Sequence, residues 1–181
     1  MTNTYQIDPA HSNLQFSVRH LMMSNVRGAF TGVSGTVTYD PGNPGAASIE
    51  AKIDVATVNT HDETRDGHLK TPDFFDVAQY PHITFRSTKI EKKSNNEFLV
   101  TGDLTMHGVT KPVVLQVEEV SDEAQDPWGN TRIGASAKGK IKRSEFGLTW
   151  NAALEAGGVM VGDDVKLDFE LELVKAKSAA A

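Results

Sequence analysis

The strongest constraint on the fold is an alternation of apolar and polar side chains that recurs along the chain. It is clearest in residues 165–173, where Val, Leu and Phe alternate with Lys, Asp and Glu. Because successive side chains of a strand point to opposite faces of a sheet, each such run predicts a strand with one buried face. Further runs begin at Leu14, Ile49, Phe98, Val113 and Ile133. Turn-forming clusters of Gly, Pro, Asn and Asp separate the runs.

These runs predict an all-β fold in one domain that spans residues 1–181. Strands with one apolar and one polar face are typical of antiparallel sheets that close on a core. We therefore expect an antiparallel barrel of about eight strands with short helical inserts, a size whose interior is filled or holds one small ligand. The length of 181 residues is close to that of one domain, and the chain carries no internal repeat or linker.

Composition excludes several classes of protein. The 18 basic and 24 acidic residues give a net charge of −6, which argues against general binding of nucleic acid. The chain has no cysteine, so disulfide scaffolds and thiolate metal sites are excluded. No apolar run approaches the roughly 20 residues that span a bilayer. Because the first residues lack the features of a secretory signal, the sequence as written predicts a cytoplasmic location, or a periplasmic one if a signal has been removed.

Small residues on the apolar faces of the runs predict a hollow barrel. They are Ala51, Gly102, Ala135, Ala137 and Gly139. A solid core favours larger side chains at such positions, whereas small ones leave space inside. The alternative is a filled core in which they face bulky neighbours such as Phe16, Phe85 and Phe169. Met22 and Met23, whose side chains adapt to irregular apolar shapes, are expected to pack in the core or to line the channel.

Residues 65–85 interrupt the alternation between two predicted strands. Connections of this length between strands are usually functional or disordered. This one carries apolar residues at Leu69, Phe74, Phe75, Tyr80 and Phe85, which indicates that it covers something apolar. We predict a lid or side wall on the barrel. One helical piece is expected over residues 62–70, and a second is expected to start with residue 71 as N-cap and a proline at the first helical position.

Polar residues near this segment are candidates for binding a polar group. His61, Arg65 and His68 fall at i, i+4 and i+7, so a helix would place them on one face, where they contact an anionic or polar group. The alternative is a solvated helix whose acidic residues neutralise them. His20 ends an otherwise apolar inward row, and either binds such a group or is satisfied by the backbone or a carboxylate. No metal is predicted, since a catalytic zinc typically needs three protein ligands and no H-E-x-x-H motif is present.

Six segments form a specific combination when taken together. They are DPAHS at residues 8–12, FSVRH at 16–20, VRGAF at 26–30, the whole of 65–85, GDLTMHGVTKP at 102–112 and RSEFG at 143–147. In this order, and covering nearly the whole chain, they resemble the YceI-like family, also called the polyisoprenoid-binding family. The resemblance implies a lipocalin-like fold, an extended antiparallel barrel around an elongated apolar tunnel. It also implies binding of long isoprenoid chains, such as polyprenyl phosphates or isoprenoid quinones, or of other long amphiphiles.

The resulting prediction is non-catalytic binding, storage or transport of a long-chain isoprenoid lipid or a similar amphiphile, without a cofactor. The position of each residue on the predicted strands places the tail against Phe16, Val18, Phe30, Phe74, Phe75, Phe85, Leu104, Met106 and Phe169. The head group is placed near His20, Arg65 or His68. A long apolar tail can drive such binding without directional contacts, because each buried methylene contributes roughly 0.8 kcal/mol.

Two further hypotheses accompany this prediction. The alternative function is an enzyme, an isomerase or hydrolase that acts on a lipid in the same tunnel. It would need an acid–base pair in the cavity, such as His20 with Tyr80 or His107. A homodimer formed through aromatic side chains such as Trp128 and Trp150 is the second hypothesis.

Overall fold

The computed structural model describes residues 2–40 and 42–177, which form twelve β-strands and one α-helix. The strands are β1 (Asn3–Ile7), β2 (Asn13–His20), β3 (Ser24–Phe30), β4 (Val33–Tyr39), β5 (Ser48–Asp54), β6 (Val58–Asn59), β7 (His82–Lys92), β8 (Phe98–Met106), β9 (Val109–Glu118), β10 (Ala124–Gln125), β11 (Thr131–Lys142) and β12 (Val161–Lys175). The helix, α1, covers Glu63–Leu69. Short 3₁₀ helices cover Pro44–Ala46, Val55–Thr57 and Arg143–Phe146.

Eight of the strands close into an antiparallel barrel. The order around it is β1, β4, β5, β7, β8, β9, β11 and β12, and β12 pairs back with β1. The ladder between β11 and β12 runs from Arg132 opposite Val174 to Lys142 opposite Asp164. The predicted all-β antiparallel barrel of about eight strands is confirmed. The assignment of residues 1–181 to one domain stays a prediction.

The sheet forks along β12, the strand of 15 residues near the end of the chain. Residues 173–175 of β12 pair with β1, whereas residues 161–170 pair with β2 on the same side. Strand β3 pairs with β2, and β6 pairs with β3. The wall of the barrel is therefore extended at one end by β2, β3 and β6.

The alternation places one row of each strand inside the barrel, as predicted. Leu14, Val100, Ala137 and Leu173 are buried on four different strands. Lys138, the residue after Ala137 on β11, is exposed on the outer face. Removing such apolar side chains from water is the main favourable term in folding a sheet of this kind.

The segment 65–85 begins as predicted and then departs from the prediction. Asp62 caps α1 by accepting a hydrogen bond from the Arg65 amide at 3.0 Å. The predicted second helix is wrong, because the chain forms consecutive turns after Lys70. The hydroxyl of Thr71 donates to the His68 carbonyl at 2.7 Å, so it closes the first helix instead of starting another. Asp76 then adopts a φ of 49°, which no helix accommodates.

Several large apolar side chains lie on the surface. Met22 and Met23, in the turn between β2 and β3, are 56% and 78% exposed, so the expectation that they pack in the core or line the channel is wrong. Trp128 is 81% exposed in the turn after β10. Trp150 is half-buried and packs against Phe74 with ring centroids 5.3 Å apart. The homodimer stays a prediction.

An ion-pair network centred on Arg132 joins three parts of the barrel. The guanidinium donates to Asp8 at 2.7 Å, to Asp126 at 2.8 Å and to Glu172 at 2.5 Å. These carboxylates belong to the loop after β1, the turn after β10, and β12. The Arg132 hydrogen bond, followed by that of His11, holds the pKa of Asp8 at about 2. Arg132 also lowers the pKa of Asp126.

Replacing Arg132 with Gln should lower the melting temperature by a few degrees at neutral pH and by progressively less in acid. Since the folded pKa of Asp8 is about 2, below its ordinary value of 3.8, the ion pair stabilises the fold fully above that ordinary value. Its contribution is lost as the pH falls through the folded pKa. Thermal unfolding of both proteins across this pH window, followed by circular dichroism, measures the difference.

The control is Arg86→Gln, because the Arg86–Glu50 pair is exposed on both sides and pairs of this kind contribute little. We expect its melting temperature to match that of the unaltered protein throughout. A deficit in Arg132→Gln that does not change between neutral and acid pH would contradict the role given to the network.

Candidate functional site

The interior of the barrel is a cavity of about 570 Å³. Its lining on β12 extends from Val161 to Leu173, twelve steps of the chain, or about 40 Å along the strand at roughly 3.3 Å per residue. Clefts of roughly 300–1,000 Å³ are typical of sites for small molecules and cofactors. The cavity is therefore long and narrow, a shape suited to one extended chain.

Small residues contribute to this space in two different ways. Ala51, Ala135 and Ala137 line the cavity directly, as the hollow-barrel hypothesis predicts. At Gly102 the alternative applies, because the Phe85 ring lies where a Cβ would stand. The predicted cavity is present, and part of the small-residue pattern instead makes room for neighbouring rings.

All the residues predicted to contact the tail line this cavity. They are Phe16, Val18, Phe30, Phe74, Phe75, Phe85, Leu104, Met106 and Phe169. Phe30 joins two of the walls, with ring centroids 5.4 Å from Phe16 on β2 and 5.8 Å from Phe75 in the segment after α1. The turns after α1 thus form a side wall of the cavity. Contact between these residues and a ligand stays a prediction.

Two of the residues predicted to bind the head group, His20 and His68, line the cavity and are linked by a chain of contacts in its wall. The ring of His68 packs edge-on against Trp150, with centroids 5.0 Å apart. Arg143 donates to the Trp150 carbonyl at 2.9 Å and to the Val161 carbonyl at 3.2 Å. Val161 stands opposite His20 in the ladder between β2 and β12. These contacts connect His68 to His20 through the cavity wall.

His20 is half-buried, and its ring has no hydrogen bond or ion pair with another side chain or backbone group in residues 2–40 and 42–177. The alternative, in which a backbone group or carboxylate satisfies the imidazole, is therefore not found within the described ranges. The imidazole faces a mostly apolar cavity whose polar lining residues also include Arg65, His68 and Arg143. It is available to a polar group of a ligand.

Arg65 lines the cavity but is also tied to its own neighbourhood. Its Nε donates to the Thr60 hydroxyl and its Nη2 to the Thr60 carbonyl, both at 2.8 Å. Nη1 lies 3.9 Å from Asp62. One edge of the guanidinium therefore holds the chain before α1. His61, predicted to share the helix face with Arg65, precedes α1 and does not line the cavity, so that part of the prediction is wrong.

Arg143 is a cavity-lining cation that the sequence analysis did not select. It is 7% exposed, and its guanidinium donates to four backbone carbonyls, among them that of Leu148 at 2.7 Å. Burial lowers its pKa, and the nearby Asp163 carboxylate opposes this change. The sequence feature that could have indicated Arg143 is the end of the apolar–polar alternation at this residue, directly after β11. It adds a buried positive charge to the wall beside His20.

The acid–base pairs considered for an enzyme do not form in the cavity. Neither Tyr80 nor His107 belongs to its lining. Their rings contact each other with centroids 4.9 Å apart, and His107 Nδ1 lies 3.2 Å from the Phe146 carbonyl. Both residues therefore support the turn between β8 and β9 and the adjoining 3₁₀ helix. His20 has neither of them as a partner.

One group of side chains has the spacing of metal ligands, and it lies apart from the cavity. It consists of Asp8, His11 and Glu172. Both carboxylates are already paired with the Arg132 guanidinium. The Arg132 guanidinium thus neutralises these carboxylates in the position that a metal ion would take.

Comparison with known proteins decides the family. Residues 5–173 match the family model described as YceI-like domain. The chain belongs to the YceI-like family. Protein YceI of Escherichia coli is 41% identical over 146 residues, which are 80% of this chain and 75% of that protein.

Two solved structures share the architecture of this YceI-like chain. BcnA of Burkholderia cenocepacia has a TM-score of 0.80 at 27% identity, covering 92% of this chain and 98% of BcnA. A polyisoprenoid binding domain from Saccharophagus degradans has a TM-score of 0.67 at 20% identity, covering 95% and 98% of the two chains. In residues 2–40 and 42–177 of the present chain, no helix has the length and apolar character needed to cross a membrane.

Replacing Ala137 with Trp should block the cavity and abolish binding of long apolar chains. Ala137 is 2% exposed and lines the cavity midway along β11, so an indole there would occupy the space of a tail. Overpacking of this kind typically costs about 1–3 kcal/mol of stability, so the barrel should still fold. Binding of a long-chain polyprenyl phosphate is measured by mass spectrometry of the folded variant.

The matched control is Lys138→Trp, which adds the same side chain to the outer face of the same strand. We expect it to bind as the unaltered protein does. Full binding by a folded Ala137→Trp variant would show that the tail does not run through the barrel at this point.

Proposed function

We propose that this YceI-like protein binds, stores or carries a long-chain isoprenoid lipid, or a similar amphiphile, without transforming it. The observation that carries the proposal is the cavity, which is long, narrow and mostly apolar, with a few charged and polar side chains in its lining. Each methylene-sized unit buried from water contributes roughly 0.8 kcal/mol, so a long tail supplies most of the affinity. The proposal is supported by the likeness in fold to the domain from Saccharophagus degradans that is described as polyisoprenoid binding.

The polar end supports a ligand with a head group. His20 offers an unengaged imidazole, and Arg65 and the ring of His68 line the same cavity. His68 Nε2 lies 2.7 Å from the Asp73 carboxylate, which orients the ring. A phosphate would accept hydrogen bonds from these groups, and so would the carbonyl oxygen of a quinone. The buried positive charge of Arg143 favours the anionic phosphate over the neutral quinone.

The arrangement favours a carrier over an enzyme. General acid–base catalysis needs a donor and an acceptor within hydrogen-bond reach of the reacting atoms. Among the described residues the His20 imidazole has no partner, and the histidine and tyrosine considered as its partners contact each other elsewhere. The other histidine of the cavity, His68, is paired with Asp73. The competing function is an isomerase or hydrolase that acts on a lipid in the cavity. The extraction experiment described next distinguishes the two, because an enzyme would alter the lipid.

Organic-solvent extraction of the purified protein, followed by mass spectrometry, should release one equivalent of a prenyl quinone, a polyprenyl phosphate or a related long amphiphile. Incubation with a polyprenyl phosphate or a prenyl quinone should load any protein that was purified empty, and the lipid should be recovered unchanged. Recovery of a chemically altered lipid would establish the enzyme instead. The Ala137→Trp variant gives the background level of uptake. Lipid binding would be refuted if the unaltered protein took up no more lipid than this variant.

Replacing His20 with Phe should weaken binding of a polyprenyl phosphate by roughly 10- to 150-fold, since a hydrogen bond to a charged group contributes about 1.5–3 kcal/mol. The phenyl ring keeps the packing of the imidazole while removing both nitrogens. Titration followed by the fluorescence of Trp150, in a Trp128→Phe background, reports the affinity.

His61→Phe is the control, because His61 is exposed and outside the cavity. A prenyl hydrocarbon without a head group should bind equally well to the unaltered protein and to both variants. Equal loss of the hydrocarbon and the phosphate in His20→Phe would show that His20 acts on the shape of the cavity and not on the head group.

A further inference from the structure

An exposed apolar tip lies directly beside the polar end of the cavity. It is formed by the turn of residues 21–23 between β2 and β3 and by residues 157–160 before β12, and we call it the methionine tip. Met22, Met23 and Val159 make up three of the five large apolar side chains that are exposed among residues 2–40 and 42–177. Such clustering marks a contact surface, whereas single exposed apolar residues are ordinary.

The two parts of the methionine tip are fastened together by the backbone. The Leu21 amide donates to the Met160 carbonyl at 2.8 Å, and the Met23 amide donates to the His20 carbonyl at 3.0 Å. Gly158 approaches so closely that an added Cβ would stand 3.3 Å from Met22 Cγ. The tip is therefore one connected surface and not two independent loops.

The backbone of this turn adopts an unfavourable conformation at two residues. Leu21 and Met22 have φ values of 50° and 59°, in the left-handed region that favours Gly and Asn. In water the Met22 side chain stays 56% exposed, so it gains only part of the burial that would offset this strain. Contact with an apolar partner would provide that burial.

The methionine tip is continuous with the entrance of the cavity. His20 and Met160, which adjoin it in sequence, both line the cavity. Arg19 also lines the cavity, and its guanidinium donates to the Met22 carbonyl at 3.1 Å. Whatever surface contacts the tip is therefore adjacent to the head-group end of the cavity.

The charge around the tip differs from that of the whole protein. The chain carries a net charge of −6, but residues 19–27 contain two arginines and no acidic residue. Residues 151–162 add a single acidic residue, Glu155, and the two aspartates that follow are engaged, Asp163 by Ser144 and Asp164 by Lys140 and Lys142. Apolar side chains flanked by arginines are suited to insertion among lipid head groups, where the tails meet the methionines and the phosphates meet the cations.

We propose that the methionine tip docks on a phospholipid bilayer and that lipid passes between the bilayer and the cavity at this contact. Met22, Met23 and Val159 enter the outer part of the bilayer, and Arg19 and Arg27 contact phosphate groups. The proposal rests on the proposed function, since it describes how a lipid that is insoluble in water reaches the cavity. Docking itself does not require the cavity to be loaded.

The test compares Met22→Gln/Met23→Gln with the unaltered protein. Glutamine keeps the unbranched shape of methionine and removes its apolar character. The probe is radiolabelled decaprenyl phosphate, offered either in protein-free vesicles of phosphatidylcholine with a minor fraction of phosphatidylglycerol or in detergent micelles. We expect uptake from vesicles and co-sedimentation with them to fall by about tenfold, while uptake from micelles and the melting temperature stay unchanged.

The matched control is Val114→Gln/Trp128→Gln, which removes two exposed apolar side chains outside the tip. It should behave as the unaltered protein in every assay. The docking proposal is overturned if the methionine variant takes up lipid from vesicles at the normal rate, or if the control is equally impaired.

The outcomes also separate this proposal from the proposed function. Uptake from micelles but not from vesicles by the unaltered protein would overturn docking on a bilayer and leave lipid binding intact. Uptake from neither source would refute lipid binding itself. Co-sedimentation with empty vesicles in that case would still support the methionine tip as a bilayer-binding surface.

Discussion

The structure depends on the closure of one sheet through β12. This strand pairs with β11 along most of its length, with β1 at one end and with β2 along the rest. Closure satisfies the backbone groups that an open sheet would expose at its edges. Once the strands form a ring, the period of two in the sequence sends every second side chain inward. The apolar cavity is therefore a consequence of pairing and alternation together, with no element devoted to it alone.

The sequence predicted the parts of the molecule that follow from local periodicity. The inward row of β2, the small residues of β11 and the position of α1 all lie where the pattern indicates. The turn after α1 was mispredicted because the Thr71 hydroxyl donates to the His68 carbonyl while it accepts a long hydrogen bond from the Asp73 amide, so a residue type that favours N-caps does not start a helix here. The exposure of Met23 and the burial of Arg143 depend on which strands meet, which no local pattern reports.

The candidate site was predictable in composition and less so in arrangement. The alternation of inward and outward positions was enough to predict aromatic residues in the cavity wall, since Phe16 and Phe169 each lie on the inward face of a strand. The polar end combines residues from β2, α1 and the segment after β11, which are distant in sequence. His68 and Trp150 come together only because β12 returns the chain beside β2. Long-range assembly of this kind requires the fold to be known first.

The pairing of β1 with β12 also orders events during folding. Tyr5 and Lys175 are partners in the ladder, so the first strand, which also pairs with β4, gains its second neighbour only when the last strand is available. Contacts between such distant residues carry a large loop-closure cost and form slowly. Until they form, the apolar inner face and the free edges of the other strands stay open to water and to other chains. The residues that close the barrel are thus also those that end its period of greatest exposure to aggregation.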